Sequence, residues 1–246
     1  MKQKIGVFDS GMGGITILAK LREILPHEDY IYYSDSKNNP YGEKSDEELL
    51  NLTSRIIDEL SYDGCALVII ACNTASTVVS SLRNKYTIPI VATEPALKEA
   101  FDKGEGNILV MATKHTLESS KFETLLKSFN QDTRKVYLDK AVGLAPLIEQ
   151  EQEKEIDIYL QENLSPYLDK NIKSVVLGCT HYPIIKDKIQ NFFKEATIFD
   201  SSNGVAKRVA TLINESKTGG SLKIKSSKLE DIDKTKRMLD KLERRM

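Results

Sequence analysis

Ala66-Leu67-Val68-Ile69-Ile70-Ala71-Cys72-Asn73-Thr74-Ala75 is one of two stretches that decide the fold of this chain, and Ser174-Val175-Val176-Leu177-Gly178-Cys179-Thr180-His181-Tyr182-Pro183 is the other. Each is an apolar run followed by a small residue, a cysteine and polar residues. Such a run is typical of a buried parallel strand that ends in a loop. In an α/β sheet, these loops bind ligands. The pattern predicts a site with one thiol on each of two loops, which suits removal of a proton from one face of a carbon and its return on the other.

Strand-like and helix-like segments alternate along the chain, which predicts parallel sheets with helices on both faces. The predicted strands are 4–8, 30–34, 67–71, 88–91, 107–111, 135–138, 174–178, 197–199 and 222–224. The predicted helices are 15–25, 45–60, 74–85, 115–129, 151–168, 184–194, 205–214 and a charged helix in the tail.

The first four strands and the next four form two series, offset by about 105 residues, which indicates a duplicated unit. Cys72 and Cys179 fall at equivalent positions of the two series. We therefore predict an α/β protein of two pseudosymmetric, doubly wound parallel-sheet domains, with the active site in the cleft between them. The first domain is predicted to comprise 1–93 plus 204–246, because we expect the tail to return to it. The second is predicted to comprise 94–203.

The composition and charge of the chain exclude several classes of function. The net charge of −1 gives no basic field that would favour nucleic acid or a membrane surface, so neither is expected as a partner. No apolar stretch approaches the length of a membrane span. The start at Met1-Lys2-Gln3-Lys4 does not resemble a signal peptide, and three cysteines without one predict reduced thiols in the cytoplasm. The three histidines lack metal-ligand spacing, so no metal site is expected.

Asp9 lies in a glycine-rich turn, Gly6-Val7-Phe8-Asp9-Ser10-Gly11-Met12-Gly13-Gly14, between the first strand and the first helix. The spacing is not that of a dinucleotide site, and a carboxylate here would repel phosphate. Asp9 suits an ammonium group, or a thiol that must be held in orientation. The alternative is that Asp9 caps the helix at Ile15.

The residues around Cys72 support a ligand loop. A helix start can lower the pKa of a thiol, and Asn73 and Thr74 can hydrogen-bond a carboxylate. The segment 34–42 follows the second strand at the same sheet edge, although an ordinary turn would also explain it. A lone Cys72 could be an inert core residue, but its pairing with Cys179 favours a catalytic role.

In the second half, His181 could exchange a proton or stabilise a thiolate, or it could merely satisfy loop backbone. Glu149 lies beside the corresponding loop of this half and could partner Cys179 as Asp9 partners Cys72, although a helix-surface position is the simpler interpretation. Cys65 is interpreted as structural.

These segments together resemble the glutamate racemase family over nearly the whole chain. The shared motifs are Asp9-Ser10-Gly11, Pro40-Tyr41-Gly42, Ala71-Cys72-Asn73-Thr74-Ala75, Glu94-Pro95-Ala96, Pro146-Leu147-Ile148-Glu149 and Leu177-Gly178-Cys179-Thr180-His181-Tyr182-Pro183. Related aspartate racemases typically carry Glu where this chain has His181. The family often has a Cys-Pro pair before the Pro-Leu-Ile-Glu segment, where this chain has Ala141-Val142-Gly143, and its Gly-Asp-Thr is here Ser34-Asp35-Ser36.

The resemblance implies a cytoplasmic isomerase that racemises L-glutamate to D-glutamate for peptidoglycan, and hence for cell-wall formation and cell shape. It implies no cofactor, neither pyridoxal phosphate nor metal, and we expect a homodimer. Cys72 and Cys179 would be the two bases, supported by Asp9, His181 and Glu149. The substrate-binding residues would be Asp9, Ser10, Pro40, Tyr41, Gly42, Cys72, Asn73, Thr74, Cys179, Thr180 and His181.

Three other functions stay open from the sequence. The first is a racemase of the same superfamily that acts on aspartate or a similar amino acid. The second is a cysteine hydrolase with Cys72 as nucleophile and His181 as base, which leaves Cys179 without a role. The third is a two-lobed amino-acid binding protein, which would not need paired thiols.

Overall fold

The structure is a computed structural model that describes residues 4–245. The described strands are β1 (Lys4–Asp9), β2 (Asp29–Ser34), β3 (Cys65–Ile70), β4 (Ile90–Ala92), β5 (Asn107–Ala112), β6 (Val136–Asp139), β7 (Ile172–Gly178), β8 (Thr197–Asp200) and β9 (Leu222–Ser226). The described α-helices are α1 (Ile15–Ile24), α2 (Asp46–Tyr62), α3 (Val79–Lys85), α4 (Leu97–Lys103), α5 (Lys114–Glu118), α6 (Ser120–Lys127), α7 (Leu144–Glu149), α8 (Glu153–Leu164), α9 (Lys186–Phe192), α10 (Ser202–Ala210) and α11 (Asp231–Glu243).

The described chain divides into two compact units. Unit 1 runs up to Thr93 and resumes at Ser202, and unit 2 is the continuous segment Glu94–Ser201. Residues 1–3 and 246, which the sequence assigned to the first domain, lie outside the described residues.

Unit 1 contains a sheet with the strand order β4-β3-β1-β2-β9, in which every neighbouring pair is parallel. Its central strands are apolar because helices cover both faces: all of β1 after Lys4 is buried. In the register, Phe8 pairs with Ile70 of β3 and Tyr33 of β2. The carboxyl ends of β1, β2 and β3 therefore meet at one sheet edge, and the loops that follow Asp9, Ser34 and Ile70 start there.

The tail completes unit 1. Strand β9 pairs with β2 in parallel, with Tyr30 opposite Leu222. Helices α10 and α11 pack against α1, and Glu243 of α11 accepts a hydrogen bond from Arg22 Nε at 2.7 Å. Unit 1 is thus built from both ends of the described chain.

Unit 2 contains a parallel sheet with the order β6-β5-β7-β8. This order repeats that of β2-β1-β3-β4 in unit 1. The register slips at the same place in both sheets, between Lys4 and Ile5 in unit 1 and between Asn107 and Ile108 in unit 2. The prediction of two parallel α/β sheets built on one plan is confirmed.

Several helices differ from the prediction. The helix predicted over 115–129 is two helices, α5 and α6, because Ser119 is extended and its hydroxyl caps α6 by accepting the Phe122 N–H at 3.2 Å. The helices predicted from Thr74 and Ile184 begin with 3₁₀ turns, Ala75–Val78 and Tyr182–Ile185. Glu149, which the sequence placed beside the loop of the second half, is the last residue of helix α7.

Candidate active site

Asp9 is fully buried at the carboxyl end of β1. Its Oδ2 accepts the Gly11 N–H at 3.0 Å, so the carboxylate closes the turn that follows the strand. The alternative that Asp9 caps the first helix is wrong, because α1 has Gly14 at its cap position and no side-chain cap. The turn itself holds this carboxylate at the sheet edge.

Gly14 makes this close packing possible. A Cβ at Gly14 would lie 2.6 Å from Cβ of Asp9, closer than real Cβ atoms approach their neighbours, and it would also lie only 3.0 Å from the hydroxyl oxygen of Tyr32. The Tyr32 hydroxyl donates to the Gly11 carbonyl at 2.8 Å and holds the turn from the other side. The glycine is therefore required by space, since its backbone is in the ordinary right-handed region.

Cys72 lies two residues beyond β3 and is buried, with 5% of its surface exposed. Its thiol donates to the Ser10 hydroxyl at 3.5 Å, and its sulfur accepts the Ala75 N–H at 3.4 Å. The short 3₁₀ turn that replaces the predicted helix start directs this N–H at the sulfur. The structure thus brings Ser10 and Cys72 together, and a backbone donor faces the sulfur where a thiolate charge would form.

Asn73 and Thr74 follow Cys72 and are both buried. Neither the oxygen nor the nitrogen of the Asn73 amide has a hydrogen-bond partner among the described residues. A buried amide without partners costs free energy, so such groups usually serve a ligand or a strained site. The Asn73 amide is therefore available to bind a polar substrate.

The segment after β2 is anchored by a buried carboxylate, Asp35, which the sequence analysis did not single out as a site residue. The Tyr41 hydroxyl donates to Asp35 Oδ2 at 2.6 Å, and the Asn38 amide donates to both carboxylate oxygens at 3.0 Å. Burial, followed by the charge of Asp35, raises the pKa of Tyr41 far above its usual range, so its phenol stays protonated. Tyr41 is buried, Gly42 is half-buried and Pro40 is exposed. An ordinary turn, the alternative that the sequence left open, does not account for these hydrogen bonds to a buried carboxylate.

Cys179 follows β7 directly and is buried, with 7% exposed. Its sulfur lies 3.7 Å from Nδ1 of His181. The other ring nitrogen of His181, Nε2, contacts Oε2 of Glu149, the last residue of α7. The three side chains form a relay from carboxylate to imidazole to thiol, and they are the three residues of this half for which the family resemblance implies a catalytic role.

The electrostatics of this relay favour a charged imidazole. Burial alone lowers the pKa of His181, but its hydrogen bonds to Cys179 and Glu149 and their charges more than offset that effect, and the pKa lies well above 6.5. Glu149 is therefore not merely a helix-surface residue, because its side chain is mostly buried against this histidine. An imidazolium beside a sulfur stabilises a thiolate.

Thr180 is buried between Cys179 and His181, and Gly178 precedes them at the end of β7. A Cβ at Gly178 would lie 2.8 Å from Cβ of Ala112 on the neighbouring strand β5. Glycine at this position lets the loop leave the sheet close to β5.

Residues 4–245 contain neither a metal-binding cluster of side chains nor a membrane-spanning helix. No group of three or more His, Cys, Asp or Glu side chains is arranged to hold a metal ion. Within the same range, no helix has the length and apolar character needed to cross a membrane.

Comparison with protein families identifies the family of this chain. The model of the Asp/Glu/Hydantoin racemase family matches residues 12–207, which include both cysteine loops and Glu149. The chain belongs to the Asp/Glu/hydantoin racemase family. Within this family it is similar to glutamate racemase of Clostridium perfringens strain SM101, with 42% identity over 90% of this chain and 87% of that protein. It is also similar to glutamate racemase of Clostridium acetobutylicum ATCC 824, with 39% identity over 96% of this chain and 97% of that protein.

Solved structures of family members have the same fold. Glutamate racemase of Francisella tularensis SCHU S4, solved with D-glutamate, is 28% identical and aligns over 97% of this chain and 94% of that one with a TM-score of 0.82. The Escherichia coli enzyme, solved with L-glutamate and the activator UDP-MurNAc-Ala, is 26% identical and aligns over 100% of this chain and 95% of that one with a TM-score of 0.82.

Proposed function

We propose that this protein is a glutamate racemase that interconverts L- and D-glutamate without a cofactor and supplies D-glutamate for peptidoglycan synthesis. The observation that carries the proposal is the pair of buried thiols, Cys72 and Cys179, at equivalent positions of a duplicated fold, each with its own polar partners. A hydrolase needs one nucleophilic thiol and a binding protein needs none, whereas a racemase uses two.

The reaction moves one proton off Cα and another onto it. One cysteine is a thiolate and takes the α-proton, which leaves the bonding electron pair on the substrate. The other cysteine is a thiol and donates its proton to the opposite face of Cα. The protonation states of the two sulfurs are then exchanged, so the enzyme is ready for the other enantiomer. The balance needs no oxidant, reductant or group carrier.

The α-proton of an amino acid is weakly acidic, so the site must stabilise the negative charge that develops on the substrate. We assign this task to donors at the two loops: Ser10, Asn73, Thr74 and Thr180. The partnerless amide of Asn73 supports the assignment, since a substrate carboxylate would satisfy it. We further assign the anchored segment Pro40, Tyr41 and Gly42 to substrate binding, together with Asp9 and His181.

Two side chains are proposed to support the thiols separately. Asp9 lies on the loop whose Ser10 accepts from Cys72, and its carboxylate suits the substrate ammonium group or the proton of that thiol. His181, held by Glu149, supports Cys179 through its positive charge. Glu149 acts through His181 and is a positioning residue.

The decisive experiment is incubation with pure L-glutamate in D₂O without added cofactor. We expect deuterium at Cα and accumulation of D-glutamate, both unchanged after dialysis against EDTA. Cys72→Ser and Cys179→Ser should each lose at least about 10³-fold in turnover, because a serine hydroxyl is a far poorer base. Cys65→Ser, which changes a third buried thiol, is the matched control and should stay within about twofold.

A parallel incubation with L-aspartate tests the substrate. The F. tularensis and E. coli structures contain glutamate, which supports glutamate as the substrate here. Faster exchange with aspartate than with glutamate would refute that assignment. Near-normal turnover by either loop-cysteine variant would refute the two-thiol mechanism.

We also propose that the protein acts in the cytoplasm as a homodimer, on the basis of the family resemblance. Sedimentation equilibrium of the purified protein should give twice the chain mass of 27.7 kDa. A single-chain mass at micromolar concentration would contradict the dimer.

A further inference from the structure

The loop that carries Cys72 is closed at its base by two buried hydroxyl groups, those of Ser76 and Thr93, and the mechanism above gives neither a role. The Ser76 hydroxyl donates to the carbonyl of Ile70, the last residue of β3, at 3.1 Å. The Ser76 N–H donates to the Cys72 carbonyl at 2.9 Å. Ser76 therefore ties the far end of the segment 71–75 to the strand from which that segment departs.

Thr93 closes the same base from the neighbouring strand. It follows β4, which pairs with β3 so that Ala92 lies opposite Ile70. The Thr93 hydroxyl donates to the Ile70 carbonyl at 2.9 Å, and the Thr93 N–H is shared between Ser76 Oγ at 3.0 Å and that carbonyl at 3.2 Å. The carbonyl is thus satisfied even without the Thr93 hydroxyl, which adds a further bond to the same point. We call the Ile70 carbonyl, Ser76 and Thr93 the loop clamp.

The loop clamp reaches the thiol through Ala75, the residue before Ser76. The Ala75 N–H donates to the Cys72 sulfur at 3.4 Å from the start of the 3₁₀ turn Ala75–Val78. A hydrogen bond to a charged acceptor is stronger than one to a neutral acceptor, so this N–H stabilises a thiolate more than a thiol. Because the adjacent Ser76 is fixed to Ile70, the clamp limits how far the N–H can move from the sulfur.

The matching positions of unit 2 cannot form such a clamp. Four residues after Cys179 stands Pro183, which has neither a hydroxyl nor an N–H. The thiol of that unit is supported instead by His181, which Glu149 holds. A feature needed only to build the duplicated fold would be expected in both units, so its presence beside Cys72 alone points to a role for that thiol.

We propose that Ser76 and Thr93 are positioning residues for Cys72: their hydroxyls fix the base of its loop, so that the Ala75 N–H stays aimed at the sulfur when Cys72 becomes a thiolate. The proposal rests on the proposed function, in which Cys72 alternates between thiol and thiolate. The loop clamp gives the thiolate of unit 1 a fixed backbone donor where unit 2 uses a charged side chain.

The test measures the reactivity of the Cys72 thiol and needs no substrate. Purified full-length protein is treated with iodoacetamide across a pH series, and the initial rate of alkylation of the Cys72 peptide is measured by mass spectrometry. Ser76→Ala should raise the pH midpoint by roughly one unit, because a hydrogen bond to the charged sulfur is weakened. Thr93→Val, which keeps the shape of the side chain, should raise it by less, and Thr93→Ser, which keeps the hydroxyl, should leave it unchanged. The Cys179 peptide from the same samples is the internal reference and should keep its midpoint.

The variants leave the ionisable surroundings of Cys72 intact. The titratable and charged side chains on the turn, strands and helix packed around this loop include Asp9, Asp35, Tyr41, Arg55 and Cys65. None of them is substituted, so a shifted midpoint reports the position of the loop and not a change of a nearby charge.

Thr235→Val is the matched control for Thr93→Val. Thr235 is a fully buried threonine of α11, also in unit 1, and its hydroxyl donates to the Asp231 carbonyl at 2.7 Å. Its variant should keep the wild-type midpoint of Cys72. An unchanged midpoint in Thr93→Val, or equal shifts in Thr93→Val and Thr235→Val, overturns the proposal, since equal shifts would reflect general loosening of unit 1. If Ser76→Ala does not fold, the comparison of Thr93→Val with Thr93→Ser and Thr235→Val still decides the question.

The failure of this proposal and the failure of the proposed function are distinguishable, because alkylation is measured without glutamate. A protein that lacks racemase activity but shows the raised midpoint in Thr93→Val would refute the proposed function and support the loop clamp. An active racemase whose Cys72 midpoint is the same in the wild type and in Thr93→Val would refute the loop clamp alone.

Discussion

At the scale of single residues, the two thiols have different supports. Cys72 contacts a hydroxyl and a backbone N–H, whereas Cys179 contacts an imidazole held by a carboxylate. A neutral donor and a cation stabilise a thiolate by different amounts. We therefore expect the two directions of the proposed reaction to depend on different side chains.

Asp9→Asn and His181→Asn should impair the two directions unequally and with opposite preferences. Family resemblance assigns Cys72 to the D-enantiomer, so Asp9→Asn should slow exchange from D-glutamate more, and His181→Asn exchange from L-glutamate more. Because the equilibrium ratio of enantiomers is one, kcat/KM must stay equal in both directions, and the asymmetry appears in kcat and KM separately or in α-deuterium exchange. Equal losses from both enantiomers in both variants would assign these residues to general substrate binding.

The His181–Glu149 pair should make stability depend on pH. The folded pKa of His181 lies well above its unfolded value of about 6.5, so the folded state holds an extra proton between those two values. This contribution is fully present below pH 6.5 and is lost as the pH rises through the raised folded pKa. The Tm of the wild type should fall over that range, and the fall should be smaller in Glu149→Gln.

Glu118→Gln is the control for this measurement. Glu118 pairs with Lys140 on the surface of the same unit, where both side chains are about half exposed. Its variant should keep the wild-type dependence of Tm on pH from 6 to 10. An undiminished slope in Glu149→Gln would show that the pair does not retain the proton.

At the scale of elements, one loop in each unit depends on a glycine that allows close packing: the turn that holds Asp9 in unit 1 and the Cys179 loop in unit 2. Gly14→Ala forces a Cβ against Asp9, and Gly178→Ala forces one against Ala112. Each should lower kcat/KM by at least about 10-fold, because a displacement near 1 Å at a catalytic loop has effects of that size or larger. Gly204→Ala adds a methyl in α10 with nothing within 4 Å and should stabilise the protein by up to about 1 kcal/mol with unchanged kinetics. Kinetic effects of equal size in all three variants would contradict this account.

The central strands could be predicted because each contains a short apolar run, such as 67–70 in β3 and 175–177 in β7, whose burial can be expected without knowledge of its neighbours. The duplication was also visible, since the offset between Cys72 and Cys179 matches that of the strands. The split of α5 from α6 depends on one serine that caps instead of continuing the helix. The contact of Glu149 with His181 depends on where α7 packs, and the anchoring of Tyr41 by Asp35 depends on a loop path, so neither follows from local pattern.

At the scale of the whole molecule, unit 1 depends on its returning tail. Leu239 of α11 is buried, with 2% exposed, whereas Leu229 just before the helix is 80% exposed. Leu239→Ala should destabilise unit 1 by about 2–3 kcal/mol, and Leu229→Ala should change it by less than about 0.5 kcal/mol. Hydrogen exchange resolved by peptide should show the loss of protection in α1 and β2. Equal effects of the two substitutions would mean that the tail does not stabilise unit 1.

The return of the tail also determines the order in which the two units can fold during synthesis. Ser221, beside β9, bonds Asp29, the first residue of β2, across 192 residues of chain. At ribosomal speeds of roughly 5–20 residues per second, about 10–40 s pass between the synthesis of β2 and the synthesis of its neighbouring strand β9. Unit 2 is continuous and is made entirely within this interval. Unit 2 can therefore finish folding on the ribosome while the sheet of unit 1 still has an unpaired edge at β2. Nascent chains that stall during this interval are the ones most exposed to pairing with one another through that edge.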